Sequence, residues 1–189
     1  MILMKILNFK SKFIESPVKL LTGDSLYIVG GIEMKEVILY TDGSCINNPG
    51  PGGWACILKY KDTIREISGC SHYTTNNKME LLAVISGLRM LNQRCNVTVY
   101  TDSKYISDCF NKQWIYKWFK NGFKTKQGTP VKNQNLWKEL YSLVCKHIVK
   151  FVWVKGHSTD EMNNRVDFLA RRESQKYMVD IFVDEEEHE

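Results

Sequence analysis

The chain has 189 residues, a formal net charge of +5 and a hydrophobic content of 43%, which predicts one globular domain with a substantial core and short tails. No apolar run approaches the roughly 18 residues of a membrane-spanning helix, so no such helix is expected. The six cysteines lie eleven or more residues apart, which argues against a Cys-x-x-Cys metal or redox site and is typical of free thiols in a reducing compartment such as the cytoplasm.

Residues 1–33 precede the first clear strand and are predicted to be a poorly ordered or dispensable extension. Lys and Asn residues interrupt the opening run MILMKILNFKSKF, so it lacks the unbroken apolar stretch of a secretory signal. Its basic, acid-poor composition leaves a transit peptide open. Met34 stands directly before KEVILYTD, which leaves open a translation start at that position.

Three strands are predicted first. The apolar run 36–42 ends at Asp-Gly, and a second strand is expected at 54–60. The intervening INNPGPGG (46–53) is expected to be irregular because of its prolines and glycines. After a turn at Lys61 and Asp62, residues 63–73 alternate imperfectly, which is typical of an edge strand.

The spacing of the apolar residues changes from that of a strand to that of a helix at residues 74–91. A helix is therefore predicted there, with Thr75 or Asn77 as its cap. Its apolar face would comprise Met79, Leu82, Ala83, Ile85, Leu88 and Leu91. The remaining elements are strands at 97–102 and 150–154, and helices at 103–110, 133–147 and 162–174. This order predicts an α/β domain with a mixed five-stranded sheet and helices on its faces.

Two similar stretches, LYTDGSC (39–45) and VYTDSKY (99–105), each place an aspartate at the carboxyl end of a strand. Ligands bind at that edge of open α/β sheets. If the two strands are parallel neighbours, Asp42 and Asp102 come close together and repel each other unless a cation lies between them. An aspartate before Gly or Ser is also an ordinary turn former, so the pair alone leaves both interpretations open.

Two further acids lie on helices that are otherwise apolar nearby. Glu80 follows Met79, and Asp167 lies between Val166 and Phe168. Charged helix residues are usually solvated. Combined with the two strand-end aspartates, however, they give four carboxylates, and an all-oxygen ligand set of this kind suits Mg²⁺ or Mn²⁺.

Five separated segments resemble, in order and spacing, the signature segments of the type 1 ribonuclease H family, the bacterial-type ribonucleases HI. These segments are TDGSC with NPGPGGW, TTNNKMEL, TDSKY, WVKGHS and NNRVDFLA. The resemblance covers residues 36–175 and implies a ribonuclease H-like fold with three antiparallel and two parallel strands. It implies a catalytic domain at 34–176, with an acidic tail at 177–189.

The implied activity is endonucleolytic hydrolysis of the RNA strand of RNA/DNA hybrids, as in the removal of primers and hybrids, with 5′-phosphate and 3′-hydroxyl products. The resemblance assigns two divalent ions, Mg²⁺ with Mn²⁺ as an alternative, to Asp42, Glu80, Asp102 and Asp167. It also assigns proton movement or product release to His157. Asn163 and Arg165 are expected to position the loop or the outer shell of the metals.

Substrate contacts are implied in the same way. Contacts to RNA hydroxyls fall at Cys45, Asn47 or Asn48, Asn76 and Lys104, and a DNA-phosphate pocket at Asn48 and Thr75. Lys104 departs from the family, because the commonly studied bacterial form carries an amide there.

Residues 113–133 resemble the basic protrusion of the family, which seats the DNA strand. Trp114, Trp118 and Phe123 would supply flat faces, and Lys117, Lys120, Lys124 and Lys126 would meet phosphates. The alternative is an amphipathic helix with core aromatics and solvated lysines.

We expect a monomer that needs no membrane and no obligate protein partner. Two rival functions are a catalytically silent hybrid-binding module and an integrase-like polynucleotidyl transferase acting on DNA. The complete set of four carboxylates argues against the first rival. The basic protrusion and the TTNNKME segment argue against the second.

Overall fold

The computed structural model describes residues 18–22, 25–29, 34–156 and 159–186. The chain divides into two compact units, Met1–Met34 and Lys35–Glu189. In the first, β1 (Val18–Thr22) and β2 (Ser25–Val29) form an antiparallel hairpin. The sequence did not predict these strands. Residues 1–17 lie outside the described part, and the dispensability of the extension stays a prediction.

The second unit is built on a five-stranded mixed sheet. Its strands are β3 (Lys35–Cys45), β4 (Gly50–Tyr60), β5 (Thr63–Thr74), β6 (Cys95–Thr101) and β7 (Ile148–Trp153). The spatial order is β5-β4-β3-β6-β7, with β3, β4 and β5 antiparallel and β3, β6 and β7 parallel. This arrangement confirms the predicted fold class, including the edge position of β5.

Helices cover both faces of this sheet. They are α1 (Asn76–Arg89), α2 (Lys104–Asn111), α3 (Trp114–Lys120), α4 (Gln134–Val144) and α5 (Glu161–Glu186). Side chains alternate across a strand, so Cys56 and Leu58 of β4 enter the larger core, which includes residues of α1 to α4. Ala55 and Ile57 enter a smaller core beneath α5. Strand β4 therefore contributes side chains to the cores beneath both helical layers.

The glycine-rich segment is a strand, so the prediction of irregular structure through residue 53 was wrong at its end. Gly50 pairs with Thr74 and Gly52 with Ser71 of β5, with a register shift between the two pairs. A Cβ on Gly53 would lie 2.3 Å from the carbonyl oxygen of Ala170. Glycine stands here because α5 packs directly on the strand backbone, a requirement that local sequence patterns do not reveal.

Helix α5 runs far beyond the predicted end at residue 174 and includes most of the predicted acidic tail. The stretch from Glu161 to Glu186 contains no glycine or proline to stop it. At its start, the Asp160 carboxylate accepts the backbone N–H groups of Met162 and Asn163, both at 3.0 Å, which caps the helix. Within the described part of the chain, no helix combines the length and apolar content needed to cross a bilayer.

Helix α1 begins after Thr75, which is one of the two residues predicted as its N-cap. The Thr75 side chain, however, makes no capping hydrogen bond. The buried side is broader than the predicted stripe, because α1 packs on β3 and β4 and also against α4. Leu81 and Val84 are fully buried, whereas Leu82 is half-buried. Tertiary packing thus buries most of the predicted face, including Met79, Ala83, Ile85 and Leu88, and adds Leu81 and Val84 to it.

Candidate active site

The two strand-end aspartates lie side by side, as predicted. Strands β3 and β6 are parallel neighbours in which Tyr40 faces Tyr100 and Thr41 faces Thr101. The two tyrosine rings stack at 4.9 Å between centroids, which fixes the register. Asp42 and Asp102 follow directly, so both carboxylates project from the same edge of the sheet.

Glu80 and Asp167 join this pair in one open cavity of about 450 Å³. Helix α1 can begin against β3 because residue 43 is glycine: a Cβ there would lie 2.2 Å from the backbone nitrogen of Glu80. Asp167 arrives from α5 on the other side of the sheet. Two strands and two helices therefore bring all four predicted carboxylates to the same cavity.

The electrostatics of this cavity favour a cation. Asp42 is 8% exposed, and burial, together with the charges of Asp102, Asp167 and Glu80, raises its pKa to about 8. One hydrogen bond opposes this shift, since the Gly43 N–H donates to Oδ1 of Asp42 at 2.7 Å. A divalent ion would neutralise the repulsion that otherwise holds a proton on this carboxylate.

Glu80 and Asp167 each contact polar side chains of the protein. Glu80 accepts hydrogen bonds from Asn76 Nδ2 at 2.9 Å and from the Ser103 hydroxyl. Asp167 Oδ1 lies 2.8 Å from Nε of Arg171. As these side chains stand, no three His, Cys, Asp or Glu residues within 34–156 and 159–177 are gathered closely enough to hold a metal ion. The all-oxygen chemistry of the set nevertheless suits Mg²⁺ or Mn²⁺.

Ser103 and Arg171 are site residues that the sequence reasoning missed. Ser103 follows Asp102 directly, and its side chain also accepts the Ile106 N–H at the start of α2. Arg171 lies four residues after Asp167, which places both on one face of a helix. Both positions could have been found from spacing alone. What spacing could not supply is that the Ser103 hydroxyl reaches Glu80, on a different helix.

His157 lies outside the described residues, so its predicted role stays a prediction. The loop that leads to it is described as far as Gly156, where a Cβ would lie 2.7 Å from Oδ2 of Asp102. The backbone N–H of Val154 donates to the carbonyl of Thr101 at 3.0 Å. The loop after β7 therefore runs directly beside the Asp102 carboxylate.

The residues predicted to meet the RNA strand and a DNA phosphate lie next to the carboxylates. Asn48 accepts the backbone N–H of Asn76 at 3.0 Å, which places it beside Thr75 at the start of α1. Cys45 and Asn76 line the cavity itself. The Cys45 thiol faces backbone carbonyls, including that of Thr74 at 3.4 Å.

Lys104 lies at the edge of the site as the first residue of α2. Its Nζ is 4.8 Å from the centroid of the Trp153 ring. Trp153 is 43% exposed at the end of β7, and its Nε1–H donates to the backbone carbonyl of Asp102 at 2.9 Å. Sequence reasoning did not assign Trp153 to the site.

The basic protrusion, residues 113–133, presents its lysines to solvent. The four lysines predicted to meet phosphates are exposed, and so is Lys132: Lys117, Lys120, Lys124, Lys126 and Lys132. Trp114 and Trp118 are half-buried, and the Trp118 ring packs on Trp137 at 5.5 Å. Phe123 is 3% exposed, so the prediction that its ring offers a flat face to DNA is corrected, because that ring is enclosed by the core. The exposed aromatics are Tyr116 and Phe119.

Asn163 and Arg165 lie near the start of α5, and the predicted role of Asn163 stays a prediction. Asn163 is 3% exposed in the first turn of α5, where its N–H binds the capping Asp160. Arg165 forms a two-pronged pair with Glu66 of β5 at 2.9 Å through both Nε and Nη2. This pair directs the guanidinium to the edge strand, which argues against a place in the outer shell of the metals, whereas a role in positioning the loop stays a prediction.

Curated relatives match this part of the chain closely. A ribonuclease H from Caldicellulosiruptor saccharolyticus is 54% identical over 138 residues, covering 73% of this chain and 95% of the relative. A ribonuclease H from Oleidesulfovibrio alaskensis is 50% identical over 138 residues, covering 73% of this chain and 90% of the relative.

Solved structures match the fold. LC9-RNase H1, described as a type 1 RNase H with the type 2 active-site motif, is 31% identical with a TM-score of 0.69, covering 77% of this chain and 74% of that one. LC11-RNase H1, solved in complex with an RNA/DNA hybrid, is 23% identical with a TM-score of 0.58, covering 75% of this chain and 99% of that one. The RNase H family model matches residues 34–175. The chain therefore belongs to the type 1 ribonuclease H family of hydrolases.

Proposed function

We propose that residues 34–176 form an endonuclease that hydrolyses the RNA strand of RNA/DNA hybrids at two Mg²⁺ ions, with Mn²⁺ as an alternative, and so removes primers and hybrids. The observation that carries the proposal is the shared cavity of four carboxylates, in which burial, together with three neighbouring acids, raises the pKa of Asp42 to about 8. Asp42, Glu80, Asp102 and Asp167 would hold the ions. When bound, the ions supply an activated water and neutralise charge on the departing 3′ oxygen.

The protein groups would prepare this site before the substrate arrives. Ser103 and Asn76 keep Glu80 turned toward the cavity, and the Gly43 N–H orients Asp42. His157, the residue after Gly156 in the chain, would move a proton or help release the product. Cleavage at the 3′ oxygen leaves 5′-phosphate and 3′-hydroxyl ends.

The hybrid would be recognised on two sides of the cavity. Cys45, Asn48, Asn76 and Lys104 would contact the RNA strand, where 2′-hydroxyls distinguish it from DNA. Asn48 and Thr75 would hold a DNA phosphate. The exposed lysines of the basic protrusion, with Trp114 and Trp118, would seat the DNA strand without reading its sequence. The hybrid bound by LC11-RNase H1, which shares this fold, supports the proposal.

A panel of three labelled duplexes tests this function. The protein is incubated with RNA/DNA hybrid, duplex RNA and duplex DNA, each with Mg²⁺ and with chelator. We expect cleavage of the hybrid alone, in its RNA strand, and only with Mg²⁺. Hybrid binding without cleavage would support the silent module instead. Cleavage or strand transfer on duplex DNA would support the transferase, and chelator-resistant cleavage would remove the metals from the mechanism.

We further propose that the protein acts in the cytoplasm as a monomer without an obligate protein partner. All six cysteines are free thiols, a state that suits a reducing compartment. Light scattering of the purified protein measures its mass directly. A dimer at micromolar concentration would contradict the monomer.

Removal of residues 1–33, so that the chain starts at Met34, should leave folding and hybrid cleavage nearly unchanged. The family model begins at residue 34 and the second compact unit at Lys35, which supports a boundary there. Melting temperature and cleavage rate are compared between the truncated and the full chain. The extension is needed if the truncated protein is insoluble or if its cleavage rate falls more than about tenfold. A tenfold fall corresponds to a loss of about 1.4 kcal/mol in transition-state stabilisation.

A further inference from the structure

The pair formed by Trp153 and Lys104 links the last strand of the sheet to the rim of the cavity. The indole N–H of Trp153 holds the carbonyl of Asp102 at 2.9 Å, so the ring has a fixed orientation relative to a carboxylate of the site. The Lys104 ammonium lies 4.8 Å from the centroid of that ring. One aromatic side chain thus contacts both the backbone of a catalytic acid and a nearby cation.

The pair gives a flexible cation a preferred position. A lysine carries its charge at the end of a flexible four-carbon chain. An exposed cation–π contact of this kind favours the side-chain conformation in which the ammonium lies on the ring by about two- to fivefold. The acid one turn along α2 does not neutralise this charge, because Asp108 pairs with Lys112 at 2.7 Å. Lys104 lies two residues after Asp102, which lines the cavity, and the substrate proposed for that cavity is a polyanion.

We propose that Lys104, held in place by Trp153, binds a phosphate of the RNA strand next to the linkage that is cut, and that Trp153 is the positioning residue for this contact. The inference rests on the proposed function and deepens it. Whereas an amide would recognise a hydroxyl, a lysine recognises phosphate through charge. The contact should therefore weaken as salt rises, as contacts to phosphate do.

The charge of Lys104 is tested first. Binding of RNA/DNA hybrid to K104Q and K104R is measured by fluorescence anisotropy in chelator at several KCl concentrations. We expect K104Q to weaken binding about fivefold near 0.1 M salt and to reduce the slope of log affinity against log salt by about 0.7 to 0.9, the value of one phosphate contact. K104R should retain most of the slope. The matched control is K150Q, which removes an exposed lysine from β7.

The positioning role of Trp153 is tested by a double-mutant cycle. W153L and W153M both remove the ring, and two variants are used so that a poorly folded one can be replaced. Each is combined with K104Q. We expect either Trp153 variant alone to weaken hybrid binding. In a chain that already carries K104Q, the same change should weaken binding by less than about a further twofold, because the ring acts through the lysine.

Three outcomes are separable. If the wild-type protein does not cleave hybrid, the proposed function fails. If it cleaves hybrid but K104Q keeps the wild-type salt slope, only the phosphate contact is overturned. If the effects of Lys104 and Trp153 simply add, Trp153 supports the fold near Asp102 and does not position the lysine. Melting temperatures of all variants identify losses that come from stability alone.

Discussion

Replacement of Asp42 with asparagine is expected to abolish cleavage of the hybrid, by about a thousandfold or more, while hybrid binding persists. Asp42 is the most enclosed of the four acids, and three others surround it. An amide has no charge to hold a divalent ion, and a metal contributes several kcal/mol to stabilisation of the transition state. A loss of about 4 kcal/mol corresponds to about a thousandfold in rate.

Single-turnover cleavage with Mg²⁺ and anisotropy in chelator separate catalysis from binding in this variant. Asp62→Asn is the matched control, because it makes the same chemical change in the exposed turn between β4 and β5. Retained cleavage by Asp42→Asn would remove this carboxylate from the catalytic set. A parallel loss of hybrid binding would show that the change disturbed more than the metals.

The same variant should be more stable than the wild-type protein in chelator. The pKa of Asp42 is about 8 in the folded state, above its ordinary value of 3.8. Between these two values the folded state binds more protons than the unfolded state, so wild-type stability falls as pH rises from about 4 to 8. Asparagine has no proton to lose. The difference in melting temperature should therefore widen over that range, as calorimetry can measure, and a gap independent of pH would contradict the burial argument.

Changing Lys117, Lys120 and Lys124 together to alanine is expected to weaken hybrid binding about a hundredfold at 0.1 M salt. The slope of log affinity against log salt should fall by about 2 to 3, because three fewer phosphates are neutralised. The fold should persist, since these lysines are exposed while Ile115 and Phe123 hold the protrusion to the core. Anisotropy titrations across a range of KCl concentrations measure both quantities.

A second triple variant serves as the control for the protrusion. Lys59, Lys146 and Lys150 are exposed and lie outside residues 113–133, and replacing them removes the same net charge. An equal loss in this control would indicate a general effect of charge. An unchanged salt slope in the protrusion variant would place the DNA strand on another face of the domain.

Much of the fold follows from local patterns in the chain. The β-branched runs ending in Tyr-Thr-Asp predict two strands, and the shift to a helical period after Thr75 predicts α1, because each pattern depends on a few consecutive residues. The four acids could likewise be named in advance, since two of them end strands and the other two interrupt helices that are otherwise apolar nearby. The resemblance of the five segments to a known family added that these acids act together.

Other features depend on contacts between residues far apart in the chain. Residue 53 of β4 is glycine because α5 packs on the strand backbone there, and Phe123 is enclosed although its neighbours are exposed. Arg165 turns to Glu66, a residue 99 positions away. No local period encodes such pairings, because they arise only when separate elements pack.

The sequence alone therefore determined the strands of the five-stranded sheet and which acids are candidates for the chemistry, because hydrophobic period and residue type are properties of short segments. Only the tertiary structure decided how those acids are held. It paired Glu80 with Ser103, turned Asp167 to Arg171 and placed Lys104 on Trp153. The physical reason is that the orientation of a side chain depends on neighbours that folding supplies from other strands and helices.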